Sequence, residues 1–173
     1  MVKQKFQKNI LILLNHIVSS NLLVKYLAFF LANITIFIVF LLLFIIKTQS
    51  KKIFFLKRAL ILSLSVFIFS YLISLIFLEK RPLYIIEGLF YKKSFLSLIA
   101  LPSFPSVHTA LLFAWGMLFL TENKRIAILI IGLSLLCGMS RVALGYHWPI
   151  DILGGILISY IIFSFSKKYL WQL

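Results

Sequence analysis

Two unbroken apolar runs, residues 26–46 and 59–78, decide which solvent this chain folds in. An α-helix needs about 20 apolar residues to cross about 30 Å of hydrocarbon, and each run reaches that length with basic residues at its ends. Hydrophobic residues make up 62% of the 173 residues and charged ones only 13%, more apolar surface than a soluble domain of this size can bury. The remaining runs, 108–121, 126–139 and 150–165, reach spanning length only if their helices continue into flanking polar residues. The expected fold class is therefore all-α: a polytopic membrane helical bundle with about five transmembrane helices, forming one domain over residues 1–173. Residues 1–25 alternate Lys3, Lys5 and Lys8 with apolar residues and are then interrupted by Asn15, His16, Ser19 and Ser20. That pattern predicts an N-terminal interfacial amphipathic helix rather than a sixth span. The stretch lacks a small-residue cleavage site followed by a polar chain, so no cleavable signal peptide is expected.

The formal charge is +14. In a soluble protein that excess suggests nucleic acid, but here the basic residues flank apolar runs, where they bind anionic bilayer lipids and set topology. No nucleic-acid partner is expected. Five spans put the N-terminus, the loop 79–105 and the loop 140–149 on one face. That face carries Lys3, Lys5, Lys8, Lys25, Lys80, Arg81, Lys92, Lys93 and Arg141; the other nine Lys and Arg lie on the opposite face. With Lys80, Arg81 and Arg141 set aside as site residues, six face nine, and the positive-inside rule places the site outside the cytoplasm. The lone Cys137 lies in an apolar run and reads as a small core residue.

Polar groups near membrane depth fall in three clusters on that one face: Lys80-Arg81-Pro82, Pro105-Ser106-Val107-His108, and Ser140 to Asp151. The chain has a single Asp, and it lies here with two of its three His and two of its four Arg. Such groups are costly near hydrocarbon unless they pair or serve a function. Arg81 and Arg141 offer planar forks of donors that match phosphate oxygens, and Lys80 could add a point charge. Ser106 stands where a helix N-cap would, so free N–H groups and the helix dipole form an anion seat. The same reasoning predicts a second seat at Trp148-Pro149. His147 and Asp151, four residues apart, let a carboxylate hold an imidazole in one tautomer and present its other nitrogen as a nucleophile. His108 could protonate the departing alkoxide. With only Glu79, Glu87, Glu122 and Asp151 available, a metal centre is hard to build, and neither a metal nor another cofactor is expected.

These clusters resemble the three signature motifs of the type 2 phosphatidic acid phosphatase superfamily, which also includes vanadium haloperoxidases. The third motif matches fully: Ser140-Arg141, five residues, His147, three residues, Asp151. The second has Pro105-Ser106 and His108, with Val107 where the family usually has Gly. The first is partial, since the family's lysine seven residues before the arginine falls on Ser74, leaving Lys80 to substitute. The resemblance implies a helical bundle, a phosphohistidine intermediate on His147, Asp151 orienting it and His108 as acid. It also implies Arg81, Ser106, Arg141 and Lys80 as phosphate holders, with the Val107 backbone N–H contributing.

The implied partner is a phosphorylated membrane lipid, and the implied setting a bacterial inner membrane with an extracytoplasmic site. General likeness and small size lean toward the lipid A 1-phosphatases of the family, with undecaprenyl-diphosphate and phosphatidylglycerophosphate phosphatases as alternatives. Head-group recognition falls to the loop 82–105, through Tyr84, Glu87, Tyr91, Lys92, Lys93 and Ser94. A non-catalytic binder of anionic lipids is the alternative that the Ser74 and Val107 departures favour. A transporter would need repeat halves or a midplane helix break, which the sequence does not display.

Overall fold

Each apolar run forms helix, because in hydrocarbon a backbone satisfies its N–H and C=O groups along its own axis. The computed structural model describes residues 2–46, 52–89 and 102–169. The helices among them are α1 (Val2–Ser20), α2 (Leu22–Asn33), α3 (Thr35–Ile45), α4 (Lys52–Phe77), the short α5 (Pro82–Ile85), α6 (Val107–Phe119), α7 (Lys124–Ala143) and α8 (Pro149–Tyr169). α4, α7 and α8 are each long and apolar enough to cross a membrane, α2 and α3 are so as a bent pair, and α6 is a shorter apolar helix. This is the expected membrane bundle.

α6 is the axis of the bundle, packed by α3, α4, α7 and α8. At 13 residues it is about 20 Å long, too short to match a bilayer by itself. It has no need to, because its Ala110, Leu112, Ala114, Leu118 and Phe119 are fully enclosed by protein. The outer helices turn Phe37, Leu41, Leu60, Ile76, Ile128, Leu153 and Phe165 outward. An apolar belt of that extent belongs against lipid tails. Glycines allow the closest approach: a Cβ on Gly155 would lie 2.7 Å from the Ser106 carbonyl oxygen, and one on Gly138 would lie 2.7 Å from Ile152.

One span departs from expectation. The run 26–46 is not a straight helix; α2 and α3 meet at a 52° bend around Ile34. The Asn33 side chain donates to the Phe29 carbonyl at 2.9 Å, competing with the backbone for that acceptor in the manner that bends helices. In the last turn of α2 the Phe30 carbonyl still accepts from Ile34 N–H at 2.8 Å, while the Ala32 carbonyl is left to outside donors.

α1 lies across one end of the bundle. Asn15 donates to the Ala143 carbonyl at 2.7 Å, and Leu11 packs with Val142 and Ile152, where α7 ends and α8 begins. His16 is exposed.

Candidate active site

The site is assembled where three connecting segments leave their helices at this same end. After α4 the chain turns at Leu78, with φ +46°, and reaches α5 through Arg81, whose backbone is extended; its main chain is tied on both sides. Ser103 N–H donates to the Glu79 carbonyl at 2.7 Å and Leu83 N–H to the Gly145 carbonyl at 3.0 Å. Trp148 Nε1 donates to the Lys80 carbonyl at 3.0 Å. Gly145 takes φ +76°, a left-handed turn that costs glycine nothing and swings the chain from α7 toward α8. The three sequence clusters thereby become neighbours.

His147 sits in that α7–α8 turn with 2% of its surface exposed. Its Nδ1 lies 2.8 Å from the Ser103 carbonyl oxygen and 3.3 Å from Asp151 Oδ2. A carbonyl can only accept, so Nδ1 carries the proton and Nε2 keeps its lone pair. Burial, and then the nearby Arg141 and Arg81 guanidinium groups, push the imidazolium pKa well below the usual histidine range. The ring is therefore neutral at physiological pH.

Asp151 is fully buried behind the ring. Its Oδ2 accepts from Trp148 N–H at 2.8 Å and from the Ser103 hydroxyl. This changes one expectation: the N-terminus of α8 is not an anion seat. Asp151 from the first turn of α8 itself takes the Trp148 N–H, and Gln7 Oε1 accepts from Ile150 N–H at 3.3 Å. A carboxylate of the protein's own already occupies that positive helix end.

The N-terminus of α6 behaves differently. Ser106 occupies the N-cap position with an extended backbone, but its hydroxyl pairs with the Thr109 hydroxyl at 3.0 Å rather than with a backbone N–H. First-turn N–H groups, which have no partner within the helix, lie at Val107 and His108 on the wall of a cavity of about 190 Å³. Arg81, Arg141, His108 and His147 line the same cavity, and among the described residues no carboxylate does. Arg81 Nη1 donates to the Tyr146 carbonyl at 3.3 Å. Arg141 Nη1 donates to the Ala32 carbonyl at 2.9 Å, at the α2–α3 bend, and its guanidinium stacks 5.2 Å from the Tyr146 ring centre. The buried Arg141 Nε finds no hydrogen-bond partner among the described residues. Two cations facing a small enclosed space suit an anion.

The structure thus brings together Arg81, Val107, His108, Arg141 and His147, with Asp151 directly behind. It does not bring Lys80 into the cavity: that residue is exposed, and its carbonyl holds Trp148. Ser74, at the position of the missing lysine, lines the cavity and spends its hydroxyl on the Tyr71 carbonyl at 2.7 Å. The Ser106 hydroxyl is buried outside the lining. Tyr91, Lys92, Lys93 and Ser94 lie outside the described residues. Two participants were missed from sequence, Ser103 and the Ala32 carbonyl. Ser103 carried a signal, being a polar residue between Pro102 and Pro105 next to the second cluster; Ala32 carried none. Among the described residues no three His, Cys, Asp or Glu side chains gather as a metal site would require.

A second, larger cavity of about 730 Å³ adjoins the first between α3, α4 and α6. Phe40, Phe44, Leu60, Phe67 and Trp115 make it apolar, and it shares His108 and Phe67 with the polar cavity.

Comparison with known proteins gives concordant results. Residues 56–173 match the family model described as the PAP2 superfamily. The undecaprenyl-diphosphatase BcrC of Bacillus subtilis (strain 168) is 34% identical over 127 residues, covering 69% of this chain and 61% of that protein. YbjG of Escherichia coli (strain K12) is 35% identical over 117 residues, covering 67% of this chain and 56% of that protein. The match thus spans roughly three-fifths of the length of these relatives. The crystal structure of Aquifex aeolicus LpxE superposes with a TM-score of 0.67 over 96% of this chain and 94% of that one, at 22% identity, a likeness of fold.

Proposed function

This chain belongs to the PAP2 superfamily, and we propose that it is an integral-membrane phosphatase that hydrolyses a phosphate from a lipid head group through a phosphohistidine on His147. The observation that carries this reading is the neutral, tautomerically fixed imidazole opening with two guanidinium groups onto one cavity that no carboxylate lines among the described residues. Nε2 of His147 attacks phosphorus; the bond from phosphorus to the lipid-side oxygen breaks, and His108, which takes up a proton when the anionic phosphate binds beside it, supplies that proton to the oxygen. A water, giving its proton back to His108, then attacks the phosphohistidine and releases inorganic phosphate. Arg81, Arg141 and the N-terminus of α6 hold the three peripheral oxygens and offset the charge that develops on them. Ser106 fixes the first turn of α6 through Thr109, and Lys80 is left to an interfacial role.

The apolar cavity sharing His108 and Phe67 supports a substrate with a hydrocarbon chain beside its phosphate. Among candidates we place undecaprenyl diphosphate first, because BcrC, similar in sequence, is named for that substrate. The 1-phosphate of lipid A comes second. Phosphatidylglycerophosphate is the third candidate. We place the site on the extracytoplasmic face of a bacterial inner membrane, supported by the six-to-nine distribution of Lys and Arg. The test is phosphate release by purified protein from these three lipids. Release is expected, fastest from undecaprenyl diphosphate; binding without release from any of them would favour the non-catalytic lipid binder instead.

Two further outcomes follow from the site. Charge neutralisation by arginine rather than by a metal predicts that release is insensitive to a chelator; a loss restored by added Mg²⁺ would contradict it. The His147 pKa is lowered, so the nucleophilic neutral form persists to more acid pH than in an ordinary histidine. A plot of log kcat/KM against pH, which follows the free enzyme, is therefore expected to show no fall from nucleophile protonation near about 6.5. Such a fall would show that burial and the two arginines do not govern the ring.

A further inference from the structure

Beyond the residues named so far as acting on substrate, one residue ties the stretch after α4, the α7–α8 turn and the first turn of α8 together without lining the cavity. Ser103 is fully buried, and each of its three polar groups is committed to a different element. Its N–H donates to the Glu79 carbonyl at 2.7 Å, which anchors the extended stretch that carries Arg81. Its carbonyl accepts from His147 Nδ1 at 2.8 Å. Its hydroxyl donates to Asp151 Oδ2, the same oxygen that lies 3.3 Å from His147 Nδ1. The carbonyl contact to the ring is shorter than the carboxylate contact. An acceptor pair of this kind defines both the tautomer and the plane of the imidazole.

We infer that Ser103 is a positioning residue for the nucleophile. Its hydroxyl holds the Asp151 carboxylate against His147 while its carbonyl holds the same ring nitrogen. His147 is thus oriented by a Ser103–Asp151 pair rather than by Asp151 alone. The backbone contact survives any substitution at 103, so the side chain tests only the hydroxyl link. Removing it frees the carboxylate to turn its other oxygen, Oδ1, which has no partner among the described residues, toward the Trp148 N–H.

This inference rests on the proposed role of His147, and the experiment separates the two. Ser103→Ala and Ser103→Cys, which keep or nearly keep side-chain volume but remove the strong donor, are compared with Ser103→Thr, which retains a hydroxyl. Ser159→Ala is the control, since Ser159 is likewise fully buried and shares its single hydroxyl proton between the main-chain carbonyls of Ala110 and Gly155, at 2.6 and 2.7 Å. For Ser103→Ala and Ser103→Cys the expected result is about a tenfold loss in kcat with KM little changed. Ser103→Thr is expected to restore most of it, and Ser159→Ala to leave kcat unchanged. Proton NMR of histidine-labelled protein supplies a readout that does not depend on turnover. The hydrogen-bonded ring N–H resonance that His147→Ala removes is expected to move upfield in Ser103→Ala and Ser103→Cys and to stay in place in Ser103→Thr and Ser159→Ala. Wild-type kcat and an unmoved resonance in both donor-less variants would overturn the inference while leaving the phosphatase reading intact. Should the wild type release phosphate from no lipid, that reading falls, and the resonance alone then decides the role of Ser103.

Discussion

Replacing His147 by Ala is expected to reduce phosphate release by at least about 10³-fold, the scale on which enzymes lose rate when a covalent nucleophile is deleted. Phosphate binding should survive, because Arg81, Arg141 and the N-terminus of α6 remain to hold the anion. The contrast between lost turnover and retained binding is the informative part. It is read by measuring release on the most active lipid and, separately, the protection by inorganic phosphate against thermal unfolding of the same variant. A variant that still turns over within tenfold of wild type would remove His147 from the chemistry. A variant that has lost both properties would instead point to a collapsed site. That outcome is not expected, since the ring contacts only Ser103 and Asp151 among the hydrogen-bonding partners described.

The second large effect lies outside the cavity, at Gly155. A Cβ there would sit 2.7 Å from the Ser106 carbonyl oxygen and 3.3 Å from the Ala110 nitrogen, both backbone atoms that cannot rotate out of the way. Gly155→Leu must therefore push α8 away from α6. Overpacking of this kind costs about 1–3 kcal/mol or more. The displaced elements carry Asp151 on one side and the first turn of α6, with His108, on the other. A misplacement of about 1 Å is enough to cost about 10²-fold in rate. The expected result is a lowered midpoint of thermal unfolding together with at least that loss in kcat. Gly132→Leu on α7 is the matched comparison, because a Cβ there meets nothing within 4 Å. It faces the open side, where added apolar volume is tolerated, and its stability and rate should stay near wild type. Equal behaviour of the two variants would mean that the α6–α8 contact does not set the site.

His147 and Asp151 were legible in the sequence because a helical turn brings positions four apart together whatever the rest of the fold does. Ser106 was legible as the cap of α6 because the residue before an apolar run and after Pro105 has few other places to be. Lys80 was assigned to the anion from its neighbourhood in sequence, yet adjacent residues on an extended stretch point to opposite sides. With Arg81 turned inward, Lys80 faces out. The supposed anion seat at Trp148-Pro149 failed for a related reason: a free helix end can be recognised locally, but which acceptor reaches it first cannot.

The amino-acid order alone determined the solvent, the helical class, the apolar passes and the gathering of three polar clusters at one membrane face, since these depend on hydropathy and local spacing. The tertiary structure decided the rest: the Asn33 bend beside which Ala32 receives Arg141, the Ser103 bonds to Glu79, His147 and Asp151, and the apolar cavity that meets the polar one at His108. Each of these depends on how far one helix is shifted along or rotated against another. That relation is set by close packing of side chains distant in the chain, and no periodicity within a single segment encodes it.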